Sequence, residues 1–265
     1  MKSLRHGHRI AAALLGSQYA LMLEYRAEIV LWMLSGVLPL IMLAVWSGSG
    51  AGTRAGFTAA QLSHYFLAAF VVRQFTVVWL IHAFEEDVLQ GRLSPFLLQP
   101  LAPLWRYLAA HTAEQATRLP FLALLLLLLA WLQPQLLWWP SPLSLLLGLL
   151  AIVAAFLLRF LIQVLISSLC FWSERAAALD RLLMIPYLFL SGLVAPLETF
   201  PPALRRLAWM TPFPWMVDFP AHLLVGDAVA LGNGCAALLT WMLLLLPPTR
   251  WLWRAGLRRY GAMGA

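Results

Sequence analysis

Lysine is almost missing from this chain: among its 265 residues, Lys2 is the only one. A phosphate-binding loop for ATP needs a lysine inside a glycine-rich turn to reach the β- and γ-phosphates. The glycine-rich stretch at residues 47–57 has neither that lysine nor a strand–helix setting, so it reads as a flexible turn. ATP hydrolysis through such a loop is excluded. Cysteine is scarce too. Cys170 and Cys235 fall toward opposite faces of the expected topology, which argues against a disulfide, and two lone cysteines make no metal site. Charge is the third shortage: Asp, Glu, Lys and Arg make up 11% of the residues, against about a quarter in a soluble domain.

Catalytic patterns are missing as well. There is no His-Glu-x-x-His zinc helix and no Gly-x-Ser-x-Gly elbow. The histidines (His6, His8, His64, His82, His111 and His222) are scattered without ligand spacing beyond His6-x-His8. No metal, cofactor or catalytic residue is expected. No acidic residue falls well inside an expected span, which argues against a carrier coupled to protons or sodium.

What the chain has instead is apolar length. Hydrophobic residues make up 62% of it, which identifies an all-α, polytopic membrane protein with a single integral domain, residues 1–265. Spans are expected at residues 27–46, 62–84, 119–137, 143–167, 183–200 and 228–246. Residues 1–25 carry Lys2, Arg5 and Arg9 beside a short apolar patch, and read as an interfacial helix rather than a cleaved signal. Trp138-Trp139-Pro140 reads as an aromatic belt and a stop. Residues 172–181 read as a short charged loop holding Glu174, Arg175, Asp180 and Arg181. Residues 201–226 are apolar but broken by prolines, which suits two short external or re-entrant helices before the last span.

The net charge of +7 is carried almost wholly by arginine. These arginines flank apolar runs and form no patch on a soluble surface, so topology explains them better than nucleic acid does. With the amino terminus inside, thirteen Lys and Arg residues fall on inner segments. Only Arg54, Arg205 and Arg206 fall on outer ones, and Arg73 and Arg159 lie within spans. This split supports six spans with both termini cytoplasmic. Arg73 and Arg159 are costly in lipid. They line a path for an anion or lipid headgroup, or they hydrogen-bond between spans. Gln163, one turn from Arg159, suits the second reading.

Residues 85–106 interrupt the apolar pattern. The segment opens with Glu85, Glu86 and Asp87 and is punctuated by Gly91, Pro95, Pro100 and Pro103. Phe96, Leu97, Leu98, Leu101, Leu104 and Trp105 stand beside the charges, which suits either a docking surface or packing on lipid headgroups.

The run from Glu86 to Leu101 resembles the segment between the second and third spans of type-2 ABC exporter permeases. The likeness is to a bacterial subgroup with Gly-x-Leu followed by Leu-Leu-x-Pro-Leu, here Gly91-Arg92-Leu93 and Leu97-Leu98-Gln99-Pro100-Leu101. Thr211-Pro212-Phe213-Pro214-Trp215, with Phe219-Pro220 and Leu224-Val225-Gly226, resembles the same subgroup before its last span. The resemblance implies a transmembrane subunit that exports a substrate across the bacterial plasma membrane. It implies a dimer with a second permease, identical or different, and separate ATPase subunits that bind ATP and magnesium. Glu85, Glu86, Asp87, Gly91, Arg92, Leu93, Leu97, Leu98, Pro100 and Leu101 would form the coupling segment against the ATPase. The alternative is a membrane enzyme or binding protein acting on lipid-linked substrates.

Overall fold

The computed structural model describes residues 2–24, 31, 33–34, 36–173, 175–227 and 231–263, and the regular elements among them are all helical. In chain order they are α1 (Lys2–Glu24), α2 (Leu38–Gly48), α3 (Ala51–Arg54), α4 (Ala59–Thr76), α5 (Leu80–Leu89) and α6 (Leu93–Leu97). Then come α7 (Pro103–Leu132), α8 (Pro142–Ser167), α9 (Ala177–Leu190), α10 (Pro202–Trp209), α11 (Asp218–Val225) and α12 (Leu231–Met263). Among the described residues, four stretches are long and apolar enough to cross a membrane: Ala59–Leu89, Pro103–Leu132, Pro142–Phe171 and Leu231–Tyr260.

Local signals set several of these boundaries. Thr58 accepts from the Gln61 amide at 3.2 Å and Gln61 Oε1 accepts from the Thr58 amide at 2.9 Å, a reciprocal cap that starts α4. Ser141 accepts from the Ser144 amide ahead of Pro142 and starts α8 one residue before the expected span. Gly226, at φ +99°, ends α11.

The core lies where α4 and α8 cross and α11 packs against both. Phe66, Ala68, Ala69, Val72, Ala155, Leu158, Met216, Val217 and Ala221 are fully enclosed there. α1 runs along α7, and its least exposed residues, Leu14, Gln18 and Met22, recur every four positions and mark one face. Cys170 is buried, Cys235 is exposed, and both are free.

Four expectations are corrected. The helix expected at 119–137 begins sixteen residues earlier, at Pro103. Arg118, counted among the inner-side cations, is therefore a mid-helix residue with 2% exposure, and Glu114 places a carboxylate inside a spanning-length helix. The expected span at 183–200 is the 14-residue helix α9, which ends in a buried turn at Ser191 and Gly192. The charged loop at 172–181 is cut short, because α9 starts at Ala177 and takes Asp180, itself buried, into its first turn. The last helix runs past 246, through Pro247-Pro248, to Met263. Six of the twenty residues of the first expected span (27–30, 32 and 35), Arg26 just before it, and Glu174 lie outside the described residues.

Candidate functional site

The stretch that carries the segment at 85–101 is not one helix. α4 stops at Thr76, Val77–Trp79 have no helical pairing, and α5 begins at Leu80. A break at this depth leaves the last carbonyls of α4 and the first amides of α5 without helical partners. Side chains from α7 and α8 supply them. The Gln74 carbonyl accepts from Arg118 Nη1 at 2.9 Å, and the Phe75 carbonyl accepts from Gln115 Nε2 at 2.7 Å. The Trp79 amide donates to His111 Nε2 at 3.0 Å, and the Ile81 amide to Gln163 Oε1 at 3.4 Å.

The supporting residues are themselves held. His111 Nδ1 faces the Tyr107 carbonyl at 2.8 Å, so the ring donates there and accepts at Nε2. Arg118 Nη2 pairs with Glu114 one turn away. Gln163 Nε2 donates to Asp180 Oδ1 at 2.6 Å, joining α8 to α9. His111, Glu114, Gln115 and Arg118 share one face of α7, at spacings of three and four.

Arg73 and Arg159 meet at this break. Both line a cavity of about 10 Å³ together with Val77, Val78, Trp79, Met184 and Tyr187. That is the volume a single water requires. The Arg159 guanidinium lies 4.4 Å over the Tyr187 ring, so its neighbour is an aromatic face rather than the expected Gln163. Arg73 Nε has no hydrogen-bond partner among the described residues. With Arg118, three buried guanidiniums surround the break, and Glu114 is the one carboxylate ion-paired to any of them among the described residues. Such a concentration of positive charge favours an anionic group beside the break.

Beyond the break, the acidic triad has three separate tasks. Glu85 Oε2 accepts from the Ala177 amide at 2.7 Å, placing a carboxylate at the amino terminus of α9. Asp87 Oδ2 accepts from the Tyr107 hydroxyl at 2.6 Å. Glu86, half-exposed, pairs with Arg92 at 2.7 Å, and Arg92 also reaches Asp87 at 3.2 Å. Gly91 turns the chain at φ +72°, where a β-carbon would be strained. α6 follows, with Leu93 fully buried, Leu97 exposed and Leu98 at 89% exposure.

Aromatic packing fixes the base of this segment. Phe84 contacts Phe171, Trp253 and Tyr107 at ring-centre distances of 5.5, 5.5 and 5.7 Å, and Phe171 contacts Tyr260 at 5.9 Å. Tyr260, near the end of α12, also lies 3.0 Å from the Ser94 hydroxyl. Arg106 stacks over Phe96 at 3.9 Å. Leu101 lines a groove with Leu14, Ser17 and Gln18 of α1. Pro100 is exposed.

The structure thus brings Arg73 and Arg159 together and sets the residues from Glu85 to Leu101 as a compact projection from α5. Sequence reasoning missed His111, Glu114, Gln115 and Arg118. Their common face on α7 was the available signal. A family model described as "ABC-2 family transporter protein" matches residues 27–264. No curated protein and no solved structure matches the chain.

Proposed function

This chain belongs to the ABC-2 family of transporter proteins, and from that membership we propose that it is the permease subunit of an exporter driven by separate ATPase subunits. The family places it as a transmembrane component of an ABC transporter, which in general works with an ABC ATPase. The finer reading is that residues 86–101 are the coupling contact, in a bacterial plasma membrane protein of six spans with both termini cytoplasmic. A second permease, identical or different, completes the pathway. ATP and magnesium stay on the ATPase.

The observation that carries this reading is Leu98. It is 89% exposed at the end of α6, between Leu97 and Gln99, on a segment anchored by buried Leu93 and the Asp87–Tyr107 bond. An apolar side chain presented on a rigidly held projection, with polar Gln90 and Gln99 nearby, suits the groove of a protein partner. Glu85 and Leu93 hold the projection, while Leu89, Leu97 and Leu98 are its contact residues. The positive-inside rule supports the orientation. With Arg118 moved into a helix, twelve cations remain on the inner segments against three on the outer.

The test is co-expression with candidate ABC ATPase subunits from the same genome, followed by purification and ATPase assay. Wild type should retain the ATPase. A Leu97→Asp/Leu98→Asp variant should lose it while keeping its unfolding temperature. The reading fails if wild type retains no ATPase, or if the double variant retains as much as wild type.

A further inference from the structure

Where the turn after α9 meets α11, carboxylates converge on one imidazole. His222 lies on α11, one helical turn after Asp218, so both face the same way. His222 Nε2 is 3.4 Å from Glu198 Oε1 and 3.8 Å from Asp218 Oδ1. Glu198 comes from the 3-10 turn Leu197–Thr199, which follows α9. One ligand atom from each of the three residues lies within 4.8 Å of the others. A tetrahedral zinc site with bonds near 2.0–2.1 Å separates its donors by roughly 3.4 Å.

Two further observations separate this group from an ordinary surface ion pair. The Asp218 side chain is completely buried, and its Oδ2 has no hydrogen-bond partner among the described residues, while His222 Nε2 has only its long contacts to Glu198 and Asp218. An orphaned carboxylate oxygen without solvent is costly unless a cation answers it. The surroundings are also arranged as outer support. His222 Nδ1 faces Asp227 Oδ2 at 3.3 Å, the carboxylate–imidazole arrangement that fixes the tautomer and turns Nε2 toward a metal. The Tyr65 hydroxyl stands 2.6 Å from Asp218 Oδ1 and 2.9 Å from the Gly192 carbonyl, holding the carboxylate from α4.

We propose that Glu198, Asp218 and His222 bind a divalent cation of the zinc type, with water in the fourth position. One imidazole and two carboxylates suit zinc better than calcium or magnesium, which take all-oxygen sites with more ligands. Glu198 is 42% exposed and gives the ion a route from solvent. The bound ion clips the turn after α9 to α11, and through Asp218 and Tyr65 to α4. Its rival for the same place is a proton. Burial works against charge on His222, but the contact with Glu198 and the fields of Asp218, Glu198 and Asp227 outweigh it and raise its pKa to about 9. Burial likewise raises the Asp218 pKa to about 6. Metal binding here does not depend on the transport reading.

The experiment uses the full chain, purified through a tag without histidine, stripped with EDTA and titrated with zinc chloride. Bound zinc is counted after dialysis and the unfolding temperature is followed. One zinc per chain is expected, with a saturable rise in unfolding temperature that an equal concentration of magnesium does not produce. His222→Ala and Glu198→Gln should each lower zinc affinity at least tenfold, while His82→Ala, an exposed histidine elsewhere, should not change it. If no zinc is retained, or if the His222 and Glu198 variants retain it as wild type does, the proposal is overturned and the cluster is a proton-bridged ion pair.

Discussion

The Trp79 amide donates to His111 Nε2 at 3.0 Å, and the same imidazole faces the Tyr107 carbonyl through Nδ1 at 2.8 Å. One neutral ring thus ties the start of α5 to two levels of α7. His111→Phe keeps the ring volume but leaves the part-buried Trp79 amide without an acceptor. We expect a loss of about 1–3 kcal/mol. Thermal unfolding in detergent measures it, and His111→Gln, which restores an acceptor, should recover part of the loss.

Arg118 and Glu114 form a buried pair at 2% and 8% side-chain exposure. Arg118→Ala strands the Glu114 carboxylate and orphans the Gln74 carbonyl. The expected cost is roughly 3–5 kcal/mol. Removing both charges with Arg118→Met and Glu114→Leu should be milder than Arg118→Ala alone, because the isolated carboxylate is gone. A double-mutant cycle on unfolding free energy reads the coupling directly.

Glu85 and Glu86 are adjacent but differ in what they hold. Glu85→Gln weakens the charged acceptor at the α9 amino terminus and should cost about 1 kcal/mol. Glu86→Gln removes an exposed pair with Arg92 and should change stability by less than about 0.5 kcal/mol. Equal effects in chemical denaturation would contradict this division of the triad.

Gly192 is the tightest point of the turn after α9. Its φ is +88°, and a β-carbon there would stand 2.3 Å from the Tyr65 hydroxyl and 2.7 Å from Asp218 Oδ1. Gly192→Ala should therefore cost at least ~2 kcal/mol from backbone strain and displaced neighbours. The lowered unfolding temperature should be accompanied by greater protease sensitivity around residues 191–196.

The sequence was most legible where structure is local. The start of α8 lies one residue from the expected span, and Ser141-Pro142 is the local signal that marks it. The two short helices inside 201–226 follow from Pro201-Pro202 and Gly226. The segment at 85–101 stands out as a unit because its punctuation is local too. The start of α7 was misplaced because His111, Glu114 and Arg118 read as loop polarity, although they share a helix face. The break at Val77–Trp79 was invisible. It contains neither glycine nor proline, and the acceptors that sustain it lie 32 and 82 residues away in the chain. Glu198, Asp218 and His222 were scattered for the same reason, apart from the Asp218/His222 turn.

The discontinuity between α4 and α5 also changes how the membrane portion can deform. In an unbroken helix, any bend must stretch its own hydrogen bonds. At Val77–Trp79 those bonds are already replaced by arginine, glutamine and histidine side chains that can swivel about several torsions. The angle between α4 and α5 is therefore set by side chains of α7 and α8 and not by the helix backbone. Leu80, Ile81 and Phe84 of α5 are as fully enclosed as the core of α4, so α5 turns about this joint only if those supporting helices move with it.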